Sequence, residues 1–318
     1  MINTLLEKIR PIARSIKYGR LLRRAQSDAS MQSNLIPNPP VSFILGCGRS
    51  GTTILGKLLA THTEVLYLFE PYHVWRVIQP ATDMIQLYGE CDAHCVMGEE
   101  FVTNNEVKRF NACMLAELKR SRKKSPRLIE KTPINAMRIS FLESISPSSP
   151  MLHLVRNGTD VVRSIERLSS TNTYQLSGKG DWNQWWGRDH CKWKALAKDA
   201  IANNYFPGEI ELLKTNIEMG ALEWLVSIGE IQARREVLGD QLLEVSYNEL
   251  TKEPQRILKS ICDHFDITTE QHWLDKCCNQ LDKARKNQGE PIVLPPKMCE
   301  TYNKYQAEYG FEGRSITR

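Results

Sequence analysis

The sequence predicts a three-layer α/β fold, with a central parallel sheet flanked by helices, and three observations carry that prediction. A short apolar run at residues 41–45 and four further segments, at 65–69, 127–130, 151–155 and 242–245, read as buried-strand candidates. The segments between them carry helical periodicity, and strands that alternate with helices pair in parallel under helices on both faces. The first run passes directly into a glycine-rich turn and then a helical pattern.

A chain of 318 residues with 41% hydrophobic residues is long enough to bury one large core. Residues 1–25 place Leu5, Leu6, Ile9, Ile12 and Ile16 among Lys8, Arg10, Arg14, Lys17, Arg20, Arg23 and Arg24, the pattern of a basic amphipathic helix interrupted at Pro11. Such a helix suits either peripheral contact with an anionic membrane or packing on the domain. Residues 26–40, rich in Ser, Asn and Pro, read as a linker, which leaves 41–318 as the folded domain. No stretch approaches the roughly 20 apolar residues of a membrane span, and no signal-peptide core is present. The expectation is a cytoplasmic chain, with the inner membrane face as its one membrane contact.

The net charge of +5 suits an anionic ligand and is too small to indicate a nucleic-acid partner. Nine scattered cysteines, an odd number, read as reduced thiols. Cys91, His94 and Cys95 lack a second pair at zinc-site spacing, so no metal is expected. Asn157, Gly158 and Thr159 spell a glycosylation sequon that falls in a ligand loop and is read as incidental.

Residues 46–53 read GCGRSGTT and are followed by a helical pattern. Glycines in such a turn let backbone N–H groups converge on anionic oxygens, and the helix N-terminus adds partial positive charge. The spacing from Gly46 to Gly51 makes the loop P-loop-like, but Thr52 stands where a nucleotide-hydrolysing P-loop carries lysine. Arg49 supplies the cation instead, and a guanidinium clamps a sulfate or phosphate oxygen pair without a metal. Gly48, Arg49, Ser50, Gly51, Thr52 and Thr53 together resemble the 5′-phosphosulfate loop of sulfotransferases that use 3′-phosphoadenosine-5′-phosphosulfate (PAPS).

That resemblance covers about residues 41–270 and implies a PAPS-dependent sulfotransferase, with PAP as product. It implies 3′-phosphate contacts from Arg156, at the end of the fourth run, and Ser164, eight residues on in the next helix. It also implies that Tyr247 touches the adenine, although a core tyrosine fits the pattern as well. The basic run at 285–289 reads either as a flap over the 3′-phosphate or as a solvated charge cluster.

On the acceptor side, Glu70 ends the second run at the sheet edge beside the loop, which makes it the candidate general base. Residues 68–75, LFEPYHVW, are similar to carbohydrate 6-O-sulfotransferases, and His73 is the alternative base or an acceptor contact. Lys131 lies in an EKTP run similar to the lysine-bearing motif of bacterial and tyrosyl-protein sulfotransferases, and with Arg49 it would stabilise the leaving oxygen. Trp182, Trp185, Trp186 and Trp193, with polar neighbours, suit either a sugar or a helix core face, and Trp182 and Trp186 are taken as acceptor contacts. The acceptor expected is a carbohydrate or glycolipid hydroxyl. Three alternatives stay open: a sulfotransferase for a lipid, phenol or peptide hydroxyl, a small-molecule kinase using Lys57, and an anion sensor without turnover.

Overall fold

All five runs form strands: β1 (Ser42–Leu45), β2 (Val65–Phe69), β3 (Arg127–Lys131), β4 (Met151–Val155) and β7 (Leu242–Ser246). They pair entirely in parallel, in the order β2-β3-β1-β4-β7. The structure, a computed structural model, describes residues 2–171, 180–281 and 290–318, with backbone alone for 2–15. The basic run at 285–289 lies outside the described residues.

Side chains of successive strand residues point to opposite faces. Phe43 and Leu45 pack with α3 (Tyr72–Ile78), α4 (Asn104–Arg120), α5 (Ile139–Ile145) and the long α8 (Asn216–Leu238). Ile44, Ile129, Leu152 and Leu154 face α2 (Thr52–Ala60), α10 (Pro254–His264) and α11 (Gln271–Leu281) on the other side. Every residue of β4 is buried, as parallel strands covered on both faces require. A third apolar cluster forms beyond the carboxyl ends of the strands. It joins α6 (Gly158–Ser169), α7 (Cys191–Ala202), α8 and α12 (Pro296–Glu308), with a short hairpin of β5 (Trp182–Asn183) and β6 (Gly187–Arg188) against it.

The helix α1 runs from Ile2 to Ser30, through Pro11 and past the residue where composition places a linker. Its second half explains why. Ala25 and Ala29 are buried against α3 and α4, Arg24 pairs with Glu117 at 2.6 Å, and Asp28 pairs with Arg120 at 2.8 Å. Tertiary packing of this kind holds residues 26–30 in the helix against their polar composition. The extended segment joining helix to sheet is therefore only 32–41. Among the described residues no helix is long and apolar enough to cross a membrane.

Candidate active site

The loop between β1 and α2 opens at the carboxyl end of the central strand, whose neighbours β3 and β4 lead to opposite ends of the sheet. Ligands of open α/β sheets bind at such a switch point. Gly46 (φ +148°) and Gly51 (φ +98°) carry the chain through conformations that L side chains rarely adopt. A Cβ on Gly51 would also stand 2.5 Å from the Tyr247 ring, and one on Gly46 would stand 2.5 Å from the Leu154 carbonyl. The N-cap of α2 is Gly51, which has no side chain to satisfy the leading N–H groups of the helix. Ser50 and Thr52 are buried in the loop, whereas Arg49 is exposed.

Both residues expected at the second anion site, Arg156 and Ser164, meet this loop. The Arg49 Nε donates to Ser164 Oγ at 2.9 Å, bridging 115 positions of sequence. Arg156 leaves the end of β4, donates to the Arg49 carbonyl at 3.3 Å and to Asp160 Oδ2 at 3.1 Å, and lies 4.7 Å over the Tyr247 ring. Ser164 is presented by α6, whose N-cap is Asn157: its side chain accepts from the Thr159 N–H at 2.9 Å. The sequon asparagine thus has a structural role as a cap.

Strand β3 supplies Glu130 and Lys131, and its alternation sends these neighbours to opposite faces. Lys131 is fully buried and points toward α2. Its Nζ donates to Thr53 Oγ1 at 2.9 Å and to Glu70 Oε1 at 2.5 Å, 4.7 Å from the centre of the Phe69 ring. Burial pulls its ammonium below the usual lysine range, and Glu70 draws it partly back. Glu70 extends the β2–β3 pairing by one hydrogen bond, from its N–H to the Lys131 carbonyl at 2.9 Å. It then turns left-handed at φ +45°. Arg49, at φ +76°, is the other such residue here. Left-handed backbone costs a side-chain-bearing residue about 1–2 kcal/mol, so the surroundings must hold both in place.

Glu130 points the other way and is also fully buried. It accepts from Trp75 Nε1 at 2.9 Å, Thr132 Oγ1 at 2.5 Å and Asn135 Nδ2 at 3.1 Å. Burial raises its carboxyl to about 7 against the pull of those three donors and of Lys131. Sequence reasoning gave Glu130 no role; its one signal is a carboxylate directly after the apolar Leu128 and Ile129 of a buried strand.

The tryptophan segment divides. Trp186 is wholly buried and donates to Asn216 Oδ1 at 2.8 Å, which makes it a core residue, edge-on to Trp193. Trp182 lies at the hairpin, with the Arg188 guanidinium 5.9 Å over its ring. Trp185, which sequence reasoning did not select, is the one that reaches the phosphate loop, at Gly48. His73 is not brought to the site either. It sits beside α1 and α4, where burial foremost, and then Arg24, lowers its ring to about 4. Its neighbour Tyr72 does lie near the site: burial raises its phenol well above the usual value, and Glu70 adds to that.

A strand–glycine loop–helix unit carrying Arg49, a second arginine and a serine from β4 and α6, and a buried lysine–glutamate pair meet at the carboxyl edge of a parallel α/β sheet. The chain belongs to the sulfotransferase family: the family described as "Sulfotransferase family" matches residues 40–210, more than half of the chain. It is similar to the sulfotransferase domain of the Synechococcus PCC 7002 olefin synthase, with a TM-score of 0.51 and 18% identity, over 88% of this chain and 98% of that one. Nodulation protein NoeE of Sinorhizobium fredii is 27% identical over 149 residues, 43% of this chain and 33% of that protein. An uncharacterized protein of Aquifex aeolicus is 20% identical over 239 residues, 75% of this chain and 27% of that protein. The chain therefore spans about a quarter to a third of these two curated relatives.

Proposed function

We propose that this protein transfers the sulfuryl group of PAPS to a hydroxyl of a carbohydrate or glycolipid. The observation that carries the reading is the buried Lys131, hydrogen-bonded at once to Thr53 of the phosphate loop and to Glu70 at the end of the neighbouring strand. Base, cation and anion cradle are thereby in one hydrogen-bonded unit. The donor set fits a doubly anionic nucleotide: Gly48, Ser50, Gly51, Thr52 and Thr53 form the cradle, Arg49 and Lys131 provide cations at one end, and Arg156 and Ser164 serve the 3′-phosphate. Tyr247, stacked under Arg156 and against Gly51, would border the adenine.

When bound, PAPS supplies an activated sulfuryl group and a phosphate leaving group. In this proposal Glu70 removes the proton of the acceptor hydroxyl with the oxygen that Lys131 leaves uncommitted. Lys131 and Arg49 stabilise the charge that builds on the bridging oxygen, in a site where little solvent reorganises. No step in the scheme requires a metal.

The preference for a carbohydrate or glycolipid rests on the resemblance of residues 68–75, with Trp182 on the hairpin as an acceptor contact. The kinase reading is weakened by Lys57, which is exposed in the last turn of α2, away from the loop. We further propose a cytoplasmic location, with residues 1–25 as a peripheral contact to anionic membrane; co-flotation with anionic but not neutral vesicles, lost on deleting those residues, tests this.

Calorimetric titration with PAP and with Mg·ATP, on wild type and Arg156→Ala, tests the donor. Micromolar PAP binding lost in the variant is expected, and a preference for ATP would overturn the reading. Turnover of labelled PAPS across sugar, glycolipid, phenol and peptide acceptors then separates the acceptor classes.

A further inference from the structure

Gly48 is a glycine for a different reason from its neighbours. It is absent from the positive-φ positions that include Gly46 and Gly51, so its backbone alone would accept any residue. Yet a Cβ at Gly48 would stand 2.3 Å from Cη2 and 2.7 Å from Cζ2 of Trp185. The indole edge occupies the place where the loop would otherwise carry a side chain.

That ring is held firmly. Its Nε1 donates to Glu223 Oε2 on α8 at 2.8 Å, and Lys192 Nζ on α7 donates to both Glu223 oxygens at 2.8 Å. The same ammonium lies 4.1 Å from the centre of the Trp185 ring. Lys192 and Glu223 are 6% and 2% exposed, and a buried pair of this kind fixes geometry more than it adds stability. Asn183 Oδ1 accepts the N–H groups of Trp185 and Trp186 at 2.9 Å, and Asn183 Nδ2 donates to the Ser169 carbonyl at 3.0 Å. The turn carrying Trp185 is thus tied to α6, the helix that presents Ser164.

We infer that Trp185 is a positioning residue of the donor site: braced by Glu223 and Lys192, it bears on Gly48 and keeps residues 47–49 shaped so that Arg49 reaches Ser164. The inference rests on the PAPS reading for the identity of the ligand but not for the state of the loop, and its test separates the two.

PAP affinity by calorimetry, acceptor KM and hydrogen exchange of the 46–53 peptide are measured for Gly48→Ala, Trp185→Ala and the double variant. Gly48→Ala is expected to weaken PAP about tenfold, and adding Trp185→Ala should recover about threefold of that, because the ring and the new methyl compete for one space. Trp185→Ala alone should speed loop exchange about fivefold or more, with acceptor KM within about twofold of wild type. Additive PAP losses in the double variant, or unchanged loop exchange in folded Trp185→Ala, would overturn the inference. Should Trp185→Ala fail to fold, Trp185→Phe, which lacks the Nε1 donor, is judged by the same two criteria. Failure of wild type to bind PAP would remove the ligand reading, and exchange alone would then decide the role of Trp185.

Discussion

The two sides of the central strand handle charge differently. On the β4 side, Arg49 is exposed, Arg156 is largely covered by Tyr247 and Asp160, and their mutual contacts run through a serine hydroxyl and a main-chain carbonyl. On the β3 side, Lys131 and Glu130 are removed from water altogether, and each is matched by named partners before any ligand arrives. In the proposed donor site the first arrangement would meet an anion with cations that still touch water. The second has already desolvated its charges, so they act at full strength on whatever charge develops beside them. Binding should therefore fail by degrees on the first side and chemistry should fail steeply on the second.

The largest effect that would sharpen this contrast is Glu70→Gln, expected to lower kcat by about 10³-fold, within the range of general-base loss, while PAP affinity stays within about twofold. A comparable loss of PAP binding would break the division. Lys131→Ala should cost about 10²- to 10³-fold in kcat. Because burial lowers the lysine's pKa, the alkaline limb of the wild-type rate should begin below the ordinary lysine range, and Lys131→Arg should push it upward. An unmoved limb in a pH–rate profile would count against Lys131 as the titrating group.

On the other side, Arg156→Ala removes charge-assisted hydrogen bonds worth about 1.5–3 kcal/mol, so PAP affinity should fall about 10- to 150-fold with kcat little changed at saturation. The smallest expected effect concerns stability. Glu130 is raised from its ordinary 4.5 to about 7 in the folded chain. Its contribution is full below the lower value and is lost as pH rises through the upper one, at most on the order of 3 kcal/mol. Glu130→Gln should flatten the decline of Tm between about pH 4.5 and 7; an unchanged slope would place the titration elsewhere.

The sheet was readable because each strand has an apolar centre within a segment of strand length, and only β3 and β7 extend one residue further than the sequence reading suggests. The glycine-rich turn between β1 and α2 was readable because glycines with positive φ have few substitutes. Lys131 and Glu70 were placed by their positions at strand ends, which the parallel register brings together. What periodicity could not rank was the tryptophans, since core and ligand faces use the same residue. Trp186 entered the core, whereas Trp185 met a glycine 137 positions earlier in the chain. His73 was misjudged for a similar reason: one helical step turns it from the loop toward α1. The linker was overextended because Ser27, Ser30 and their polar neighbours occur in exposed helix ends as readily as in coil.

The hydrogen bonds that close the site join residues far apart in sequence: 61 positions for Lys131 and Glu70, 78 for Lys131 and Thr53, and 115 for Arg49 and Ser164. Each needs a long crossover to be completed first, and contacts of that separation form slowly. During synthesis from the N-terminus, a chain that has emerged only through β3 can assemble the base and its lysine but holds no partner for Arg49. The Lys131–Glu70 pair thus has a head start over the Arg49–Ser164 contact, and in the proposed donor site the strand order would make PAP affinity a late reporter of folding.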